Sequence, residues 1–471
     1  MTEATLRSYE DLPGPNGLPL LGNALQMKGP QVHLQLERWC REFGPYYRLR
    51  VGPRRLLVVG EHQVVAAMLR DRPDGFSRGS RLELIGQEMG LKPGLFGSNG
   101  EMWRRQRRMV MAGFDPAHIK RYYPALCRVA QRLVGRWQGA ARDARPIDLQ
   151  ADLMRYTVDT IAGLAFGAEV NTLESDEDVI QQHLDKIFPA LGRRLNAAIP
   201  MWRWFPSRED RELKRSMVAV NEAVDAFIAQ ARARLKQEPD RAKSPPNLLE
   251  AMIVAADEPD SGIDDAQVAG NVLTMLLAGE DTTANTIAWM IYLLSRHPQA
   301  LAYATQEVRS VVTDPENPTY EQLGELHYVE ACAHETMRLK PVAPMIVLQP
   351  QREMTAGNVQ VPRSVTVLGL MRRDSVSDDY VPQAAEFRPE RWLAGEAPGQ
   401  AAGAAKRISM PFGAGPRICP GRYLALLEMK MAMVKLLGYF EIAGVDTRDG
   451  GEAEERLSFT MTPVGLRLRL R

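Results

Sequence analysis

Apolar residues recur at helical spacing along most of this chain. The clearest stretches are residues 32–43, 122–138, 148–166, 211–236, 266–296 and about 422–437, each read as an amphipathic or buried helix. Alternation with period two is confined to the two ends. Tyr47, Leu49 and Val51 alternate with polar neighbours, a Gly-Pro-Arg-Arg turn follows, and residues 56–59 complete a predicted hairpin. Short strands are expected again at 359–361, at 365–370 and towards the C-terminus. Proline and glycine crowd residues 12–25 (LPGPNGLPLLGNAL), so an extended lead-in is placed over 1–25. Residues 236–247 (KQEPDRAKSPPN) read as a surface loop and residues 395–405 as a Gly/Ala-rich one. No internal repeat is visible. The pattern predicts a mainly α protein with small β-sheets. It fits a single domain over residues 1–471 better than the three sequential domains that roughly 150 residues each would give.

Composition narrows the class. Hydrophobic residues are 45% and charged residues 25% of the 471, which excludes a disordered or disulfide-stapled chain. Lys and Arg number 59 against 58 Asp and Glu, a net charge of +1, so nothing favours nucleic acid. The four cysteines, Cys40, Cys127, Cys332 and Cys419, share no CxxC spacing and are expected to be reduced in the cytoplasm. Residues 1–11 hold no apolar signal core. The long apolar stretch 268–294 is interrupted by Gly279, Glu280 and Asp281, which argues against a membrane anchor.

Candidate chemistry starts at residues 411–421, PFGAGPRICPG. Cys419 follows a glycine-rich loop and precedes a helical stretch. Gly413 and Gly415 permit backbone angles and approaches closed to other residues. The helix start and Arg417 put positive potential near the sulfur, which favours thiolate. Such a thiolate is either a nucleophile or a metal ligand. A nucleophile wants a histidine base, and the nearest in sequence is the distant His334.

At every fixed position, Phe412, Gly415, Arg417, Cys419 and Gly421 match the haem-binding signature of the cytochrome P450 family, and the chain resembles soluble bacterial members. The resemblance implies the P450 fold and a haem b (iron protoporphyrin IX) with Cys419 as the axial iron ligand, whose sulfur favours O–O cleavage. It implies Phe412 beside the sulfur and Arg417 at a propionate, and it counts Gly413, Gly421 and Ala278 among the haem-binding residues.

Four further motifs stand in the family's order. Glu335 and Arg338 lie three apart, hence on one helix face, and resemble the family's ExxR pair. The run FRPERW at 387–392 is similar to its PERF segment, implying that Arg391 joins Glu335 and Arg338 in a buried structural network. Residues 278–283, AGEDTT, fall within a long predicted helix, where Gly279 and the threonine hydroxyls lead one to expect a bulge or kink. An acid and an alcohol beside a haem could relay protons, and the family pattern maps Asp281 and Thr282 onto that catalytic pair. Trp103 and Arg107 form WxxxR, which by resemblance reaches the haem propionates. Arg104, Arg105 and Arg108 are then left facing outward, where electron donors dock.

One departure stands out. Many family members carry an arginine for a propionate in the strand after the ExxR helix. Here Leu348 and Gln349 occupy that place, and Arg352 is the first arginine available. The expected function is a monooxygenase and hydroxylase inserting one oxygen atom of O2 into an apolar small molecule. Its electrons would come from a ferredoxin-type donor with an NAD(P)H-dependent reductase, with no flavin or iron–sulfur domain fused. The alternatives are an H2O2-driven peroxygenase and a haem-based gas sensor, both disfavoured by the complete acid–alcohol pair. The pocket candidates Leu84, Ile85, Met89, Leu95, Phe96, Leu277, Met345 and Ile346 are apolar and fit fatty acids, terpenes, steroids or polyketides alike.

Overall fold

A 32-residue helix, Asp265–Arg296, organises the molecule. A capping box sets its start: Asp264 accepts from the Gln267 N–H at 2.9 Å and Gln267 Oε1 accepts from the Asp264 N–H at 2.8 Å. Residues 268–277 of this helix lie in one apolar core and residues 284–294 in another. The polar run 278–283 therefore falls at the seam between the two cores. The structure is a computed structural model that describes residues 6–27, 29–114, 116–167, 171–174, 183–184, 186–197, 199–393 and 402–471.

The central helix packs chiefly on Leu149–Phe166, which Asp148 caps and Gly167 ends in a left-handed conformation. The two helices pack closely at Gly279. A Cβ there would stand 3.1 Å from Ile161, so the glycine serves close packing. The helix runs without a break from Asp265 to Arg296. Its threonine and asparagine side chains bond carbonyls one turn back. Thr282 reaches Ala278 O at 2.7 Å, Asn285 reaches Asp281 O at 2.7 Å and Thr286 reaches Thr282 O at 2.8 Å. These bonds supplement the helical ladder rather than replacing it.

The small sheets gather the chain ends. Five strands run in the order Tyr46–Val51, Arg54–Val59, Thr366–Leu370, Met345–Pro350 and Phe76–Ser77. The predicted hairpin is the first pair, in antiparallel register Tyr46↔Val59. A second sheet joins Arg7–Ser8, Val359–Val361 and Met354–Ala356, so the lead-in contributes a strand and a short 3-10 helix, Tyr9–Asp11, as well as extended chain. A two-stranded hairpin, Glu455–Leu457 with Met461–Pro463, projects Ser458, Phe459 and Thr460 at its tip.

The long predicted helices are present with extended ends: Pro116–Arg142, Arg208–Gln237 and Arg422–Tyr439. Helices at His62–Arg70, Ser80–Met89, Ile187–Asn196, Leu248–Ala256 and Pro298–Val311 had no sequence expectation. The predicted surface loop 236–247 holds an exposed 3-10 turn, Pro239–Lys243. Of the Gly/Ala-rich loop at 395–405, residues 395–401 lie outside the described residues, and Ala402–Ile408 is a helix.

Candidate active site

The cysteine loop is held in shape by its own backbone. The Cys419 N–H donates to Phe412 O at 2.9 Å. Gly413 and Gly415 have φ of 75° and 70°. A Cβ on Gly415 would sit 2.6 Å from Arg70 Cα, so the loop closes on the His62–Arg70 helix only with glycine there. Gly421 is the N-cap of Arg422–Tyr439, and a Cβ on it would lie 4.0 Å from Cys419 Sγ. Phe412 is half-buried against the core.

The electrostatics of Cys419 differ from expectation. Burial pushes its thiol up, and the Gly421 N–H, Arg107 and Arg422 only partly offset that. Arg417 is not among the groups acting on it. It turns away, and its Nη2 donates to Leu95 O at 3.1 Å and Phe96 O at 3.3 Å. The helix start and nearby cations are therefore present, but desolvation outweighs them. A metal would have to supply the charge that makes this sulfur a thiolate.

Beside the loop lies a set of arginines, Arg72 buried and Arg78, Arg107 and Arg417 half-buried. Burial lowers Arg417 to about 9 and Arg72 to about 10. It lowers Arg78 further, with Arg417 and Arg72 adding repulsion. Arg107 is also lowered by burial. Among the described residues, Arg72, Arg78 and Arg417 form no ion pair with a carboxylate, and Arg78 Nε is buried without a partner. Trp103 is buried under Arg417, whose guanidinium carbon is 5.1 Å from the ring centroid. Arg78 stands beside the place where the expected arginine is missing. Ser77 pairs with Gln349, so residue 78 comes off a strand adjacent to Leu348. Leu348 is buried, Gln349 donates to Arg363 O, and Arg352 is exposed.

The acid–alcohol run is present on one turn. Asp281 is buried and Thr282 half-exposed, with Ala278 exposed one turn earlier. The helix face carrying Ala278 and Thr282 thus opens onto a chamber while its other faces are packed. Burial raises the Asp281 carboxyl, opposed by hydrogen bonds from Thr460 and Asn285. Thr283 meets Glu428 of the cysteine helix, a fully buried acid that desolvation raises to about 8.

Glu335, Arg338 and Arg391 come together as the motifs implied, all fully buried. Arg338 Nε and Nη2 reach Glu335 Oε2 and Oε1 at 2.8 and 2.7 Å, a bidentate pair. Arg391 Nε adds a bond at 3.1 Å and Trp392 Nε1 one at 2.8 Å. One carboxylate faces two cations. The remaining donors are met by carbonyls: Ser375, Ala384 and Glu386 for Arg338, and Pro382 and Gln383 for Arg391.

Arg104 is paired with Asp74 and Glu101, Arg105 with Glu101, and Arg108 is exposed. Of the pocket candidates, Phe96 packs edge-on to Phe459 at 5.8 Å, and Phe459 stacks on Phe188 at 4.6 Å. Leu84 is 49% exposed. The sequence reading missed Arg72, Arg78, Phe188, Phe459, Thr460 and Asn285.

A half-buried sulfur on a glycine loop is a soft metal ligand, and buried or half-buried guanidiniums without carboxylates call for anions at the rim of whatever that metal carries. Iron protoporphyrin, with its two propionates and apolar plane, fits this donor set, and the site is that of a haem-thiolate protein. The chain belongs to the cytochrome P450 family, whose sequence model, "Cytochrome P450", matches residues 12–470. Carotene epsilon-monooxygenase, chloroplastic, of Arabidopsis thaliana is 28% identical over 90% of this chain and 80% of that protein. The bifunctional cytochrome P450/NADPH–P450 reductase 2 of Bacillus subtilis (strain 168) is 27% identical over 99% of this chain and 43% of its own length. The crystal structure of the cytochrome P450DA heme domain shares the fold, with a TM-score of 0.85 at 24% identity over 99% of this chain and 98% of that one. The protein is thus a cytochrome P450 monooxygenase, an oxidoreductase. No helix among the described residues is long and apolar enough to cross a membrane.

Proposed function

We propose that this chain, working as one haem domain over residues 1–471, hydroxylates an apolar small molecule in the cytoplasm. Its electrons come from a separate ferredoxin-type protein and its NAD(P)H-dependent reductase. Cys419 would hold haem b, with Phe412, Gly413 and Gly421 around the sulfur and Ala278 among the residues contacting the haem. Trp103, Arg107, Arg417 and Arg78 take the propionates. When bound, the haem supplies O2 binding and reductive O–O cleavage. The chain's own residues do the rest. Asp281 holds a proton at its carboxyl, Thr282 passes it on from Oγ1, and the Phe96, Phe188 and Phe459 rings keep water out and orient the substrate. Glu335, Arg338 and Arg391 hold the scaffold behind the cysteine loop. Exposed Arg108 and half-exposed Arg422 favour an acidic donor.

The observation that carries this reading is the pairing of a buried Asp281 with a half-exposed Thr282 on one helix turn. Proton supply of this kind serves O2 and electrons, whereas a peroxide-driven enzyme has no need of it. The relative named for carotene agrees with an apolar substrate. The test is turnover of a panel of apolar compounds, namely a long-chain fatty acid, a terpene and a steroid. Product that needs NAD(P)H, ferredoxin and reductase supports the proposal. Product formed with H2O2 alone, and not with the electron chain, overturns it in favour of a peroxygenase.

A further inference from the structure

The tip of the C-terminal hairpin touches two different things with two consecutive residues. Phe459 stacks on Phe188 with ring centroids 4.6 Å apart and an interplanar angle of 9°, and meets Phe96 edge-on. Thr460 is hydrogen-bonded through its hydroxyl to Asp281 Oδ2, across 179 positions of sequence. The other carboxyl oxygen, Oδ1, accepts from Asn285 Nδ2 at 2.9 Å, and Asn285 Oδ1 accepts from Gln150 Nε2 at 2.7 Å. Asp281, Asn285 and Thr460 are all buried.

Both carboxyl oxygens are therefore engaged away from Thr282, whose hydroxyl donates to Ala278 O at 2.7 Å. Charged groups do not compete for the carboxyl. Burial raises it, and Thr460 and Asn285 are the two influences that lower it. On the hairpin, Glu455 is engaged by His33, Arg372 and Lys340. The Leu149–Phe166 helix offers the neutral amide of Gln150, and Glu280 stands next to Asp281 on its own helix. The tip rests against two neighbouring segments. A Cβ on Gly192 would stand 2.9 Å from the Ser458 backbone, and the Met461 N–H donates to Val342 O at 2.8 Å.

We propose that Thr460 is a positioning residue that latches the Asp281 carboxyl away from Thr282, and that Phe459 couples this latch to occupancy of the apolar chamber. The inference rests on the reading of Asp281 and Thr282 as the proton-handling pair. A hydrophobic ligand pressing on Phe96 and Phe459 moves the tip, and Thr460 moves with its neighbour. The carboxyl then loses one of its two hydrogen bonds and is free to turn towards Thr282 Oγ1. Proton delivery is thereby withheld until the chamber is filled, which limits wasteful reduction of O2 to peroxide.

The experiment follows the protonated-carboxyl band of Asp281 by infrared difference spectroscopy of the holoprotein, assigned by its loss in Asp281→Asn. Removing a hydrogen bond to the charged form raises the midpoint, so Thr460→Val is expected to move it up by about 1–2 pH units. Thr460→Ser, which keeps the hydroxyl, is expected to match wild type. Phe459→Ala is expected to shift the midpoint in the same direction as Thr460→Val, by less. In turnover, Thr460→Val is expected to release several-fold more H2O2 per NAD(P)H and to shift the pH profile with the infrared midpoint. A Thr460→Val midpoint equal to wild type overturns the latch, and an unmoved Phe459→Ala midpoint overturns the coupling. If Asp281→Asn leaves coupling and pH profile intact, the proton-handling reading itself fails. Altered Asp281→Asn coupling beside an unaltered Thr460→Val profile overturns the latch alone.

Discussion

The guanidinium of Arg417 and the main-chain N–H of Arg78 converge on one acceptor, Asn99 Oδ1, at 3.3 and 2.9 Å. Asn99 also donates from Nδ2 to Arg78 O at 3.3 Å, so it ties the two arginines' segments together. Arg78 lies over the Phe96 ring at 4.0 Å, and Arg417 lies over Trp103. Two half-buried cations are thus held on aromatic faces, without carboxylates among the described residues.

Such an arrangement costs stability until an anion arrives. Arg78→Met is therefore expected to stabilise the haem-free protein by about 1–2 kcal/mol, since it removes a half-buried charge whose Nε is buried without a partner. The same change is expected to speed haem loss to a scavenging apo-globin by roughly tenfold, equivalent to about 1.4 kcal/mol. Urea unfolding of the apoprotein and haem-transfer kinetics measure the two effects. A variant that is less stable without haem, or keeps haem as well as wild type, shows that Arg78 has a packing role only.

The Glu335 network makes the opposite case, because its charges are paired. Glu335→Gln leaves Arg338 and Arg391 facing each other with no carboxylate, and is expected to cost about 3–5 kcal/mol. Arg391→Lys is expected to cost less, since one cation remains but the fork that reaches Pro382 O and Gln383 O is lost. Urea midpoints of the holoprotein give both numbers. A Glu335→Gln loss under 1 kcal/mol shows that the carbonyl cage alone suffices.

What was legible in the sequence is what local chemistry dictates. The cysteine loop needs glycine at positive φ, the Glu335–Arg338 pair needs only helical spacing, and the central helix announces itself by the length of its apolar run. The charged neighbours of Cys419 were misread because Arg417 is close in sequence while Arg107 and Arg422 are close in space. Arg78 was invisible because a two-residue strand, Phe76–Ser77, has no alternation to read, and only its pairing with Met345–Pro350 brings residue 78 to the site. The helix Leu248–Ala256 (LLEAMIVAA) is buried on nearly every side and so lacks an amphipathic period. Thr460 illustrates the general limit, since its partner Asp281 is 179 residues away.

Glu428 gives a pH-dependent prediction. Desolvation raises its carboxyl from the ordinary 4.5 to about 8, against a hydrogen bond from Thr283. The folded state therefore keeps a proton that the unfolded chain gives up. The resulting stability is complete below about pH 4.5, declines as pH rises, and is gone above about pH 8. Glu428→Gln keeps the shape and cannot ionise. It is expected to gain on wild type steadily across that window, by on the order of 4 kcal/mol at its upper end, and by a constant amount beyond. Melting curves of both proteins from pH 5 to 9 test this; parallel pH dependences would mean that Glu428 titrates as an ordinary carboxylate.

The anchor of the C-terminal hairpin yields the last prediction. Glu455 on that hairpin lies between Arg372, His33 and Lys340, and Arg372 in turn grips Glu37 with two bonds of 2.9 Å. Burial alone would raise the Glu455 carboxyl. The hydrogen bond from His33 and the charges of Arg372 and Lys340 outweigh it and hold the carboxyl far below the carboxylate range. A depressed folded pKa means stability that is present above the ordinary 4.5 and lost as pH falls below it. Glu455→Gln removes that acid-sensitive part and leaves Arg372 with Glu37 alone, at a cost of about 3–5 kcal/mol near neutral pH. Because the same hairpin carries Phe459 and Thr460, the loss should be felt at its tip. Amide exchange at Leu457 and Met461, whose N–H groups donate to Pro30 O and Val342 O, is expected to accelerate more than exchange in the Arg422–Tyr439 helix. Equal acceleration in both would show that Glu455 supports the whole fold, and an unchanged tip would show that these two main-chain bonds hold the hairpin without it.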